Sequence, residues 1–184
     1  MSEPLRIAIA GLGTVGGGVI KLLDANRDLI TRRAGRPIEV VAVSARDRNR
    51  NRGIDLSRFQ WVDDSVEFAE MDNVDVIVEL IGGIEPARED ITTALRNGKP
   101  VVTGNKELLA NVGTELFAAA DEAGVDLLFE AAVAGGIPIV RALRESLRGE
   151  PITRVMGIIN GTTNFILTKM TEEGADYSVA LAEA

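Results

Sequence analysis

The stretch LRIAIAGLGTVG, residues Leu5–Gly16, joins an apolar run of strand length to three glycines spaced Gly-x-Gly-x-x-Gly. Apolar residues at helical spacing follow at positions 15, 19, 20, 22 and 23. The pattern predicts a strand, a glycine turn and a helix in succession. In such a turn Gly11 permits the bend, Gly13 lets the backbone approach a pyrophosphate, and Gly16 lets the helix pack against the strand. A glycine turn that serves packing alone is the alternative.

Strand and helix patterns continue to alternate beyond this unit. Strand-like runs lie at residues 38–43, 75–81, 100–103 and 125–130, and helical patterns lie at 86–97 and 106–124. This alternation predicts an α/β fold of the Rossmann type, with a doubly wound, mostly parallel sheet covered by helices on both faces. The Arg- and Asn-rich residues 46–58 are predicted as a surface loop.

The pattern changes after Pro138. It predicts a helix over residues 139–147, a strand over 152–159, a helix over 164–173 capped by Thr162 or Thr163, and the start of a helix over 176–184. We therefore predict a dinucleotide-binding domain over residues 1–134 and the beginning of a second, α+β domain over 135–184.

Composition and charge exclude several classes of protein. The 184 residues are 46% hydrophobic and 26% charged, which is typical of a folded globular protein. The formal net charge is −8, and no basic run is long enough for a nucleic-acid surface. Uncharged, mostly apolar stretches such as Ala131–Val140 are too short for a membrane span, and the N-terminal residues do not resemble a secretion signal. A cytoplasmic location is expected.

The chain contains no cysteine and no histidine. Thiolate nucleophiles and histidine bases are therefore excluded. The tyrosine–lysine pair of short-chain reductases is also excluded, because Leu181 lies four residues after the single tyrosine, Tyr177. Of the four lysines, Lys106 follows a predicted strand at the sheet edge where ligands of such folds bind, so it is the candidate catalytic residue. A solvent-exposed lysine at a helix start is the alternative.

The residues after the second predicted strand indicate which dinucleotide binds. NAD-binding domains usually carry an acidic residue there for the ribose hydroxyls. Here Ser44 is followed by Ala45 and Arg46, and a guanidinium suits the 2′-phosphate of NADP. Asp47 could instead face the ribose in another register, and the segment could be a solvated charged loop. We predict NADP, with NAD tolerated.

Several segments in order resemble the amino-terminal part of homoserine dehydrogenase, over essentially the whole chain. They are Gly11–Gly16, Ile81–Gly83, Val102–Lys106, Phe129–Ile139 and Gly157–Asn164. The resemblance implies an NAD(P)-dependent oxidoreductase of aspartate-derived threonine and methionine biosynthesis. It would interconvert the small molecules L-homoserine and L-aspartate 4-semialdehyde. The residues from 135 onwards would begin its catalytic and dimerisation domain, and the full-length form would be a homodimer or larger.

The resemblance also implies roles for individual residues. Thr14 and Val15 would join the three glycines around the pyrophosphate, Arg46 would meet the 2′-phosphate, and Thr103 and Lys106 would face the nicotinamide and substrate. Sodium or another monovalent cation would be bound by the Glu130 side chain and the carbonyls of Val133, Gly135 and Ile137. The substrate side would be lined by Asn160, Gly161, Thr162 and Thr163.

Two of these assignments have local structural alternatives. Glu130 could cap the helix that follows it, and residues 160–164 could be a turn with a helix cap. The family also has Thr-Ala-Asn-Lys where this chain has Gly104 in the second place, and it carries an acidic loop and a further lysine beyond the last residue here. The chain is therefore expected to be an incomplete form. A non-catalytic dinucleotide-binding module that senses redox state is the alternative function.

Overall fold

The computed structural model, which describes residues 2–158 and 160–184, contains a six-stranded parallel sheet. The strand order is β3-β2-β1-β4-β5-β6. The strands are β1 (Leu5–Ala10), β2 (Ile38–Ser44), β3 (Gln60–Trp61), β4 (Val76–Glu79), β5 (Val101–Thr103) and β6 (Leu127–Leu128). This order confirms the predicted doubly wound Rossmann-type sheet, in which the chain reverses direction across the sheet between β1 and β4.

The described residues contain seven α-helices. They are α1 (Thr14–Ala25), α2 (Arg27–Ala34), α3 (Ala87–Arg96), α4 (Lys106–Ala123), α5 (Ile139–Arg141), α6 (Gly161–Glu172) and α7 (Tyr177–Glu183). Shorter 3₁₀ turns cover Ser65–Glu70, Glu130–Ala132 and Ala134–Gly136, and a π turn covers Ala142–Ser146. None of the described helices is long and apolar enough to cross a bilayer.

The core lies on both faces of β1, the strand that pairs with β2 on one side and β4 on the other. Its residues 7–10 are buried, because alternate side chains enter two separate apolar clusters. Ala8 and Ala10 join the cluster that includes α3 and α4, whereas Ile7 and Ile9 join the one that includes Ile20 of α1. Burial on both faces explains why the strands are continuous apolar runs.

Some predicted elements differ from the structure. The polar residues 24–37 contain the helix α2, which has no buried residue, so no apolar periodicity marks it. Residues 152–158 form no strand and are exposed, because no described strand pairs with them and an unpaired strand has no ladder hydrogen bonds. Ile159, the end of that predicted strand, lies outside the described residues. The helix predicted over 139–147 is the short α5 followed by the π turn.

The described chain forms two compact units. The first extends through Ala142 and contains the whole sheet, and the second covers Leu143–Ala184. In the second unit α6 packs against α7, and Lys169 forms ion pairs with Glu173 and Glu183. The proposed domain boundary after residue 134 stays a prediction.

Candidate functional site

A groove of about 570 Å³ lies where the carboxyl ends of β1 and β2 meet the loops after β3 and β4. This is the place where an open parallel sheet with this strand order binds its ligand. The groove contains the glycine turn, three arginines and three aspartates. Its lining residues are Gly11, Leu12, Gly13, Ser44, Ala45, Arg46, Asp47, Arg50, Arg52, Asp63, Asp64, Ser65, Leu80, Ile81 and Pro86.

The three glycines of the turn have different physical roles. Gly11 has a φ of +98°, and a Cβ there would lie 2.6 Å from the backbone of Leu80. A Cβ on Gly16 would lie 1.9 Å from the carbonyl oxygen of Gly11. Gly13 is exposed, has an ordinary φ of −76°, and a Cβ there would meet no atom within 4 Å. Gly11 and Gly16 are therefore required by the fold itself, whereas the fold leaves Gly13 open toward the groove.

The start of α1 carries no side-chain cap. Gly13 is its N-cap residue, and its first turn contains no acidic residue. The N–H groups of a helix's first turn lack partners within the helix and attract anions. Thr14 and Val15, which the family resemblance assigns to the pyrophosphate, are the first two residues of this turn, and both are exposed.

A buried carboxylate that the sequence analysis missed lies at the end of β4. Glu79 is 0% exposed. Its Oε1 accepts hydrogen bonds from the backbone N–H groups of Ile81 (2.7 Å) and Gly82 (3.3 Å), and its Oε2 accepts one from the Thr103 hydroxyl (2.5 Å). It therefore holds the loop after β4 against the end of β5. The available signal was an acidic residue inside the apolar run DVIVELI, residues 75–81.

Thr103 and Asn105 connect this carboxylate to the start of α4. Thr103 is 0% exposed, and its hydroxyl also accepts from the Asn105 N–H (3.0 Å). The Asn105 side chain caps α4 by accepting from the Leu108 N–H (3.0 Å) and donates to the Gly83 carbonyl (2.7 Å). Lys106, the first residue of α4, is thereby placed beside the loop after β4 with an exposed side chain.

The predicted site residues occupy different places. Gly11, Gly13 and Arg46 line the groove together, whereas Lys106 and the buried Thr103 lie outside its lining, at the neighbouring strand β5. Residues 160–163 belong to the second unit, and there the Asn160 side chain caps α6 by accepting from the Thr163 N–H (2.8 Å). The prediction that Thr162 or Thr163 caps this helix was wrong, because both lie inside α6 and the Thr163 N–H is bonded by the Asn160 side chain.

Glu130 serves as a cap in the first unit. Its two carboxylate oxygens accept from the backbone N–H groups of Val140 (3.0 Å) and Arg141 (2.8 Å), in α5. Between them the chain bends sharply, since Ala134, Gly135 and Gly136 all have positive φ values of 52°, 60° and 100°. Within the described residues no three acidic side chains converge on a metal site.

A second buried carboxylate, Asp90 of α3, lies beneath the groove. It is 2% exposed, and its Oδ2 accepts from the hydroxyl of Ser65 (2.6 Å), a groove residue. Its Oδ1 has no hydrogen-bond partner among the described residues. Burial raises the pKa of Asp90 to about 6, an effect that the Ser65 hydrogen bond opposes and the carboxylates of Asp64, Glu79 and Glu89 reinforce.

We expect Asp90→Asn to change how stability depends on pH. Because the folded-state pKa lies above the unfolded value, the folded chain binds the extra proton, and the free energy of unfolding falls as pH rises through this range. The difference in free energy of unfolding between Asp90→Asn and the parent should therefore shift in favour of the variant by about 1 kcal/mol between about pH 5 and about pH 8. Urea denaturation at both pH values measures this.

Ser65→Ala provides the matched comparison for this prediction. Removing the opposing hydrogen bond raises the pKa of Asp90 further, so the pH-dependent loss should extend to higher pH. Parallel pH profiles for the parent chain and Asp90→Asn would contradict the assignment.

Strand order, glycine turn and uncapped helix start together define a dinucleotide-binding α/β domain. The profile of the homoserine dehydrogenase NAD-binding domain matches residues 11–130, and that of the homoserine dehydrogenase domain matches residues 138–184. The chain belongs to the homoserine dehydrogenase family.

Individual relatives support this assignment. A homoserine dehydrogenase of Bacillus subtilis is 44% identical over 99% of this chain and 42% of its own length. The crystal structure of a homoserine dehydrogenase from Thiobacillus denitrificans matches with a TM-score of 0.88 and 47% identity, over 99% of this chain and 42% of that one. The chain thus spans about two fifths of the length of these relatives. A hyperthermophilic archaeal homoserine dehydrogenase in complex with NADPH matches with a TM-score of 0.80 and 30% identity, over 99% of this chain and 60% of that one.

Proposed function

We propose that this chain is the NADP-binding part of an enzyme that interconverts L-homoserine and L-aspartate 4-semialdehyde. The observation that carries the proposal is the glycine turn, in which Gly13 leaves open space in front of the uncapped first turn of α1. When bound, the nicotinamide would supply or accept the hydride. The archaeal relative with NADPH supports the same cofactor class.

Separate groups of the chain, all at the carboxyl edge of the sheet, would bind the cofactor and the substrate. The N–H groups at the start of α1 would bind the pyrophosphate, and Arg46 would bind the 2′-phosphate. The exposed Lys106 ammonium would hold the reacting oxygen of the substrate and exchange a proton with it. Thr103 would position Lys106. Its hydroxyl donates to Glu79 and accepts from the Asn105 N–H, and these hydrogen bonds orient the segment that carries Lys106.

Two further groups complete the proposal. Residues Asn160, Gly161, Thr162 and Thr163 would bind the polar ends of the amino-acid substrate. A sodium ion or another monovalent cation would be bound by Glu130 and the carbonyls of Val133, Gly135 and Ile137. The left-handed bend at residues 134–136 supports this, and each Glu130 oxygen retains a lone pair beyond its backbone bond. The complete enzyme would be a cytoplasmic homodimer or larger.

Reduction of NADP by L-homoserine, followed by nicotinamide absorbance, tests the function. The reaction is run with sodium chloride and with choline chloride at equal ionic strength, beside direct titration of NADPH. NADPH binding with sodium-dependent turnover supports the whole proposal. Binding without turnover supports a cofactor-binding role alone, and absence of binding contradicts the proposal.

For Arg46→Ala we expect NADPH affinity to fall about tenfold, because a charge-assisted bond to the 2′-phosphate is lost. Affinity for NADH, which lacks this phosphate, should change less than about twofold. Quenching of the single tryptophan by each dinucleotide measures both constants. An equal loss for both would show that Arg46 faces another part of the cofactor.

A further inference from the structure

The loop after β2 carries four arginines at alternate positions, in the run RDRNRNR of residues 46–52. The structure gives them two kinds of environment. Arg46 and Arg50 line the groove and are exposed, and their guanidinium groups have no hydrogen-bond or ion-pair partner among the described residues. The guanidinium groups of Arg48 and Arg52 instead contact the protein, although Arg52 also lines the groove. The loop therefore presents two free guanidinium groups and is anchored by two others.

Arg52 bonds only to backbone carbonyl oxygens. Its Nε donates to the Leu12 carbonyl (2.9 Å), its Nη1 to that of Arg50 (2.9 Å) and its Nη2 to that of Asp47 (2.6 Å). Leu12 lies between the first two glycines of the turn, forty residues away in sequence. One planar guanidinium thus holds the loop in shape and joins it to the pyrophosphate side of the groove. A lysine carries its three donors on a single nitrogen, so it cannot reproduce this planar arrangement of contacts from three separate nitrogens.

Arg48 anchors the loop at its other side. Its guanidinium carbon lies 5.6 Å from the centre of the Trp61 ring, within the range of a cation–π contact. The Trp61 Nε1 in turn donates to the Asp63 carboxylate (2.8 Å). The only tryptophan of the chain therefore lies against the loop and reports on its position.

The aspartates of the groove do not neutralise the two free arginines. Asp47 accepts from the Asn49 N–H (2.8 Å), Asp64 accepts from the Val66 N–H (3.2 Å), and Asp63 accepts from Trp61 as described. Each carboxylate accepts a hydrogen bond from a nearby N–H group, and none forms an ion pair with an arginine of the loop among the described residues. Arg46 and Arg50 are left for an anion that enters the groove.

We propose that Arg50 is a second ligand of the cofactor 2′-phosphate and that Arg52 is the positioning residue that holds Arg46 and Arg50 toward it. The inference rests on the proposed cofactor site and adds to it the basis of NADP selectivity. Two guanidinium groups can bind one phosphate with several charge-assisted hydrogen bonds, but only if the loop that carries them keeps its shape. The guanidinium of Arg52 is engaged by three carbonyl oxygens, so its part in this arrangement is to position the other two rather than to bind the phosphate.

Arg52→Lys tests the positioning role without changing net charge. We expect NADPH affinity to fall about fivefold to tenfold while NADH affinity changes less than about twofold. Arg50→Ala should have the same selective effect. When Arg46 and Arg50 are both replaced by alanine, adding Arg52→Lys should change the ratio of the two affinities less than about twofold, because the groups it acts through are gone. Arg58→Lys is the matched control, since Arg58 pairs with Asp24 outside the groove.

A measurement without cofactor separates loop position from phosphate binding. Arg52→Lys should increase acrylamide quenching of Trp61, whereas Arg58→Lys should leave it unchanged. Unchanged NADPH affinity in Arg52→Lys, or an equal loss for NADH, would overturn the inference and leave the proposed function standing. If the parent chain binds neither dinucleotide, the proposed function fails and this inference fails with it.

Discussion

Gly13→Val is expected to leave the chain folded and to weaken NADPH binding about 100-fold or more. The backbone at Gly13 has a φ of −76° and a ψ of −158°, which any residue adopts, and a Cβ there meets no atom within 4 Å. The new side chain would instead occupy the space that a pyrophosphate needs beside the first turn of α1. Thermal unfolding and titration of NADPH measure the two effects separately.

NADH provides the internal control for Gly13→Val. Both dinucleotides carry the pyrophosphate, so both affinities should fall together, in contrast to the selective loss expected for Arg46→Ala. Gly13→Val that binds NADPH as tightly as the parent would show that the pyrophosphate lies elsewhere and would remove the main support for the proposed function.

Gly16→Ala is expected to lower the free energy of unfolding by about 3 kcal/mol or more. The added methyl group would lie 1.9 Å from the Gly11 carbonyl oxygen and 3.1 Å from its carbon, and both are backbone atoms. The clash is relieved only if α1 moves away from β1, which opens the apolar cluster around Ile9 and Ile20. Chemical denaturation gives the change directly.

Gly18→Ala is the matched control on the same helix. A Cβ at Gly18 meets no atom within 4 Å, and replacing a helical glycine by alanine should stabilise the chain by up to about 1 kcal/mol. Equal stability of the Gly16→Ala and Gly18→Ala variants would mean that the helix can shift freely, contrary to the tight packing of the turn.

Together these variants divide the glycine motif into parts with different purposes. Gly16 allows the helix to approach the strand, and Gly11 allows the turn to pass the loop after β4, at Leu80. Only Gly13 is free of both constraints. The structure therefore separates loss of folding from loss of binding at two positions three residues apart.

Much of the fold could be predicted from local patterns. Apolar runs of strand length, helical spacing and the glycine turn each lie within a short segment of about ten residues. Together they led to the correct class of sheet. Local patterns did not indicate α2, which buries nothing and so has no apolar stripe. The prediction failed for residues 152–158, where the composition suits a strand but no described strand pairs with them.

The candidate site was predicted less completely. Residue type and position indicated Arg46 after β2 and Lys106 after β5. Once a strand is predicted its carboxyl end is known, and ligands of such folds bind at the carboxyl ends of strands. The buried Glu79 was missed, since its partners Ile81, Gly82 and Thr103 are decided by the pairing of β4 with β5. The separate roles proposed for Arg50 and Arg52 could not be predicted, because the four alternating arginines of this loop look equivalent in the sequence.

The sequence by itself determined the strand–turn–helix unit, the parallel α/β architecture, the absence of cysteine and histidine chemistry, and the family resemblance. Each depends on residue identity and short-range spacing. Only the tertiary structure decided which glycine faces the groove, that the Thr103 hydroxyl is committed to Glu79, and that Arg52 bonds to Leu12 across forty residues. The physical reason is that hydrogen bonds and steric clashes depend on which segments are neighbours in space. Strand order and register decide which distant segments of the chain become neighbours.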